Sequence, residues 1–175
     1  MIEKNVVYYS IVPKSKIIIN DNSNQLETYQ TRFVLKKMLA SFDIEIPEIV
    51  ISEKGNPYFK NSKIFFNYSH FKNNIACAVS LSKVGIDIED IDSYISNRVA
   101  RKFLDCKDDT SKRIEEWVKK ESYGKLKGLG FQISFKDIYL NDIKEKNYYI
   151  KEKYFICSIY CDNEEASFNK IELIG

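Results

Sequence analysis

The order in which hydrophobic period changes along the chain is its strongest constraint. Strand-type residues open it in NVVYYSIV (5–12), and helical spacing follows in DNSNQLETYQTRFVLKKMLASF (21–42). There a polar cap stretch precedes Leu26, Tyr29, Phe33, Met38 and Leu39. Strand signals then run without interruption: the turn and strand GNPYF (55–59), KIFFNYSH (63–70), NNIACAVSLS (73–82) and KVGIDIEDI (83–91). Helical period returns in SYISNRVARKFLD (93–105) and SKRIEEWVKKESYGKLKG (111–128), the latter ending at Gly128 or Gly130 with lysines in its last turns. The tail alternates again through FKDIYLND, NYYIKEKYFICSIYC and SFNKIELI, predicting two to four antiparallel strands. Helices and then strands, twice over, predict an α+β fold, not a βαβ alternation. No Pro/Gly/Ser-rich linker divides the 175 residues.

Charge and cysteine content narrow the function classes. Lysine and arginine exceed aspartate and glutamate by only two, which argues against a nucleic-acid binder. No apolar run is long enough to span a bilayer and Met1 is not followed by a signal-peptide core, so a soluble, cytoplasmic protein is expected. Cys77, Cys106, Cys157 and Cys161 form no CxxC and His70 is the only histidine, so a zinc site is not expected. Buried free thiols in a reducing compartment are the simpler reading.

The stretch GIDIEDID (85–92) needs a chemical explanation. On a strand, Ile86 and Ile88 point to one face and Asp87 and Glu89 to the other, about 7 Å apart. Like charges so placed repel unless a cation lies between them, and hard carboxylate oxygens suit Mg²⁺. Asp90 and Asp92 are expected to cap the next helix. On the helix containing WVKKESYGKLKG, Trp117, Glu121 and Lys125 fall on one stripe. If that stripe meets the Asp87/Glu89 face, Glu121 becomes a third ligand, and Lys120 and Lys125 supply charge for phosphate oxygens. If it does not, Glu121 and Lys125 are an ordinary surface pair beside a core tryptophan. Arg32 and Lys36 share a face of the first helix and are further candidates for a phosphate contact.

Taken together, these motifs resemble the 4′-phosphopantetheinyl transferases of the single-chain, surfactin-synthetase-activating type. That family carries a GKP turn, an FNxSHS stretch, a G[IV]DIE strand, an RFF helix and a WxxKESxxK helix closed by a GxG-like turn. The counterparts are Gly55-Asn56-Pro57, Phe66-Asn67-Tyr68-Ser69-His70, Gly85-Ile86-Asp87-Ile88-Glu89, Arg98 to Leu104, and Trp117 to Lys125. The match covers roughly residues 55–135.

The resemblance implies a monomeric pseudo-dimer of two similar halves, 1–82 and 83–175, each with helices on a small antiparallel sheet and with the active site between them. It implies coenzyme A as donor, Mg²⁺ (or Mn²⁺) as cofactor, and a serine of an apo acyl or peptidyl carrier protein as acceptor. Asp87, Glu89 and Glu121 match the metal-binding carboxylates. Lys125 matches a lysine on the coenzyme A phosphates, Lys120 a lysine at the same site, and Ser69 and His70 the nucleotide-binding pair. Glu121 and Lys125 are the expected catalytic residues. Two departures stand out: Asn56 replaces the lysine of the GKP turn, and Phe71 stands where a serine is typical. Two other readings compete. A metal-dependent nuclease would need a lysine two residues after the acid, where Ile91 stands. A catalytically silent carrier-protein-binding module is disfavoured by the intact carboxylate trio.

Overall fold

Strand β1 (Val6–Pro13) is the organising element of a four-stranded sheet. The computed structural model describes residues 1–18, 25–129 and 135–173. After β1 come helix α1 (Leu26–Ala40), the short strands β2 (Ile49–Ile51) and β3 (Pro57–Phe59), then β4 (Phe65–Phe71), β5 (Asn74–Ser80) and β6 (Val84–Asp90). Helices α2 (Asn97–Phe103) and α3 (Thr110–Lys127) follow, then β7 (Lys146–Lys151), β8 (Phe155–Cys161) and β9 (Ser167–Lys170). The fold is α+β, as the order of periods predicts. The polar cap stretch at 21–24 and the alternative helix end at Gly130 lie outside the described residues.

The first sheet has the order β4-β5-β1-β9 and the second the order β6-β8-β7, while β2 and β3 pair separately. Each sheet carries a helix on its outer side. Val34, Leu35, Met38 and Leu39 of α1 pack on Tyr8, Phe66, Ile75, Cys77 and Val79 of the first sheet. The opposite face of that sheet, with Val7, Tyr9, Ala76 and Ala78, meets Val84, Ile86, Ile88, Cys157 and Ile159 of the second. Helix α3 closes the far side through Ile114 and Val118 against Ile156. Period-two alternation of apolar residues on β1 and β5 is what lets one sheet serve two cores. All four cysteines are free; Cys157 and Cys161 share one buried face of β8. Among the described residues, no helix is long and apolar enough to cross a membrane.

Several expectations need correction. FKDIYLND forms no strand: Phe135–Asp137 and Leu140–Asp142 are two turns of 3₁₀ helix. The tail is not wholly antiparallel, because β9 pairs with β1 in parallel. Helix α2 starts at Asn97, not before it, with the Ser96 hydroxyl accepting from the Val99 N–H at 3.3 Å. Asp90 and Asp92 therefore cap no helix. Asp90 instead accepts from the Asp92 N–H at 2.9 Å, turning the chain out of β6. On α1, Tyr29 and Phe33 remain 39% exposed, and Val34 and Leu35 take the core positions.

Candidate functional site

Gly85 decides where the site forms. A Cβ built on it would stand 2.1 Å from the Ser122 carbonyl oxygen and 2.3 Å from the Leu126 nitrogen. Only a residue without a side chain lets the backbone of α3 come this close. The face of β6 bearing Gly85, Asp87 and Glu89 is consequently not an outward one: it lies under α3. Asp87 is 4% exposed. The stripe of α3 does face the strand. The Lys125 ammonium donates to Asp87 Oδ1 at 2.7 Å, and Trp117 packs edge-on against Phe135 with ring centroids 5.2 Å apart.

Strand β4 supplies the third wall. Asn67 Oδ1 accepts from the Ile86 N–H at 3.1 Å, and the Ser69 hydroxyl donates to Asp87 Oδ1 at 2.8 Å. The other Asp87 oxygen, Oδ2, is buried with no hydrogen-bond partner. An orphaned carboxylate oxygen at such depth is costly unless something completes it. A short polar chain braces the floor: Ser122 on α3 donates to Ser158 on β8 at 2.9 Å, and Asn147 on β7 donates to Ser158 at 2.8 Å.

The electrostatics bind the carboxylates into one unit. Burial first, and then the charge of Asp87, pushes Glu121 up to about 7. Glu89 also rises to about 7, through burial, then Asp87, with Glu121 adding a smaller push. Both groups therefore hold protons that the unfolded chain has released between the ordinary 4.5 and about 7. They lower stability as pH rises through that window, and the loss is complete above it. In buffer containing a chelator, a Glu89→Gln/Glu121→Gln variant should gain on the wild type in melting temperature as pH rises. The gap should open between about pH 4.5 and pH 7 and stay constant above. Thermal melts across that range check this, and a gap independent of pH contradicts it.

Among the described residues no three His, Cys, Asp or Glu side chains are grouped tightly enough to hold a metal ion. The donor chemistry of Asp87, Glu89 and Glu121 nonetheless fits a hard divalent cation: three carboxylates that repel one another, one with a bare buried oxygen. Lys125 holds the neighbouring oxygen of Asp87.

The other expected residues divide. His70 follows Ser69 on β4 and so points to the opposite face, where Nδ1 lies 3.3 Å from Glu27 Oε2; Lys14 binds the same carboxylate at 2.5 Å. Burial lowers the His70 pKa, partly offset by Glu27. Lys14 carries no sequence signal. Lys120 does not join the site. It is 1% exposed, and its ammonium donates to Phe103 O at 2.9 Å while pairing with Glu116 at 2.9 Å and Asp105 at 3.2 Å. Glu116 in turn accepts from the Asp105 and Cys106 N–H groups at 2.7 and 2.9 Å. Lys120 thus fastens the α2–α3 connection. Arg32 and Lys36 are exposed on α1. Asn56 donates to the Gly128 carbonyl at 3.0 Å, tying the 55–57 turn to the end of α3.

Among the described residues, openings flank the site. A groove of about 270 Å³ includes Asn56, Phe59, Asn67, Lys83, Lys125 and Lys127. A cleft of about 290 Å³ is lined by Phe71, Lys72, Ile88, Glu89, Asp90 and Tyr154. In comparison with known proteins, the chain matches no family model and no curated protein.

Proposed function

We propose that the chain is a 4′-phosphopantetheinyl transferase, moving the phosphopantetheine of coenzyme A to a serine of an apo acyl or peptidyl carrier protein. The observation that carries this reading is the meeting of β6 and α3: Asp87 and Glu89 face Glu121 and Lys125 across a contact that Gly85 makes possible. Two distant stretches of sequence thereby contribute to one acidic site with a lysine in it. In this reading the chain acts as a monomer divided at residues 82 and 83, each half contributing most of one sheet and its outer helix, while β9 of the second half crosses to pair with β1 in the first sheet.

In this reading the carrier serine hydroxyl attacks the β-phosphate of coenzyme A, the P–O bond to the nucleotide breaks, and adenosine 3′,5′-bisphosphate leaves. Phosphoryl transfer of this kind depends on alignment and on neutralising charge at the equatorial oxygens. Mg²⁺ or Mn²⁺ held by Asp87, Glu89 and Glu121 would supply that neutralisation when bound. Glu121, directly or through a water, is the candidate base for the serine proton. Lys125 places an ammonium where the leaving phosphate gathers charge. The groove with Lys83, Lys125 and Lys127 suits the anionic nucleotide end. The cleft beside Glu89 suits the approach of the acceptor.

Calorimetric titration with coenzyme A tests the binding half of this proposal. Saturable binding is expected in Mg²⁺ buffer, weakened about tenfold or more by Lys125→Met, which removes a charge-assisted contact. No heat of binding at millimolar coenzyme A would contradict it.

A further inference from the structure

The resemblance pairs Ser69 with His70 as nucleotide ligands, but the strand geometry separates them. Consecutive residues of β4 point to opposite faces. His70 lies against Glu27, and Ser69 lies beneath α3 against Asp87. Ser69 is 7% exposed and Asp87 4%. A serine has one O–H to give, and this one is given to Asp87 Oδ1 at 2.8 Å. Phosphate oxygens at neutral pH need donors, so Ser69 has none to offer them.

Asn67, two residues back on the same face of β4, accepts from the N–H of Ile86. Alternate side chains of β4 thus fasten consecutive residues of β6. Asn67 fixes the height of the strand and Ser69 fixes the carboxylate that follows. The outcome is a definite orientation of Asp87, with Oδ1 shared by Ser69 and Lys125 and Oδ2 left without a partner.

We infer that Ser69 and Asn67 are positioning residues for Asp87, acting on cation binding through that carboxylate and making no contact with the nucleotide. This rests on the transferase reading for the identity of cation and nucleotide. Hydrogen-bond partners one step removed from a metal typically change its affinity by about 10- to 100-fold when lost.

The test measures Mn²⁺ binding by the paramagnetic resonance of free Mn²⁺, and coenzyme A binding by calorimetry in a chelator. It compares wild type, Ser69→Ala, Ser69→Thr and Asn67→Ala. Ser69→Ala and Asn67→Ala should each weaken Mn²⁺ about tenfold, with coenzyme A affinity in the chelator within about twofold of wild type. Ser69→Thr, which keeps the hydroxyl, should restore Mn²⁺ binding. Should Ser69→Ala fail to fold, Asn67→Ala and Ser69→Thr still decide the matter. Wild-type Mn²⁺ affinity in the alanine variants, or a loss of coenzyme A affinity in the chelator, overturns the inference alone. Absence of Mn²⁺ binding by the wild type overturns the metal site of the transferase reading and this inference with it.

Discussion

Gly85→Ala is expected to destabilise the protein by about 3 kcal/mol or more and to lower its melting temperature by on the order of 10 °C. The atoms a methyl group would meet are the Ser122 carbonyl, the Leu126 nitrogen and the Leu126 Cα, at 2.1, 2.3 and 2.9 Å. All are helix backbone, so no rotamer change can relieve the overlap, and α3 must move off β6 as a body. That movement separates Val118 from Ile156 and opens the Ser122–Ser158 bond. It also draws Glu121 and Lys125 away from Asp87, so binding at the site should fall even where the fold survives. Urea unfolding and thermal melts measure the first effect, and Mn²⁺ binding the second. A variant that melts with the wild type would mean that α3 does not rest on Gly85.

Asp87→Asn and Glu121→Gln are each expected to reduce phosphopantetheine transfer by about 10³-fold or more, as loss of charge complementarity at a transferring phosphoryl group does. The two should differ in stability. Asp87→Asn removes the buried negative charge that partners Lys125, leaving only an amide oxygen to accept from Lys125 and Ser69, and so should unfold more readily than wild type. Glu121→Gln removes a carboxylate that burial and Asp87 already disfavour, and should be as stable as wild type or more so above about pH 7. Activity lost without stability lost, in Glu121→Gln, is what separates a chemical role from a structural one. Transfer at wild-type rates in either variant would remove that residue from the site.

How far the sequence could be read follows from which signals are local. β6 and α3 are legible because period two and period 3.6 are properties of neighbouring residues. The closeness of Asp87, Glu89, Glu121 and Lys125 is half legible: the stripe on α3 can be drawn, but not what it faces. Gly85 carried the missing information, since a glycine within a strand marks close approach of another backbone. Lys120 misleads because its neighbours in the KES stretch do reach the site, yet one residue along a helix turns a side chain by about 100° and sends it to Glu116 and Asp105. The alternation in FKDIYLND reads as a strand, yet the segment forms 3₁₀ turns, and the parallel pairing of β9 with β1 joins residues about 160 positions apart with no local trace.

The central claim is settled by the intact mass of an apo acyl or peptidyl carrier protein after incubation with this protein, coenzyme A and Mg²⁺. A carrier heavier by one phosphopantetheine, with the gain abolished by chelator and by changing the carrier's acceptor serine to alanine, is the predicted result. Carriers of several types left unmodified, while the protein still binds them or cleaves DNA, would contradict it in favour of a silent binding module or a nuclease.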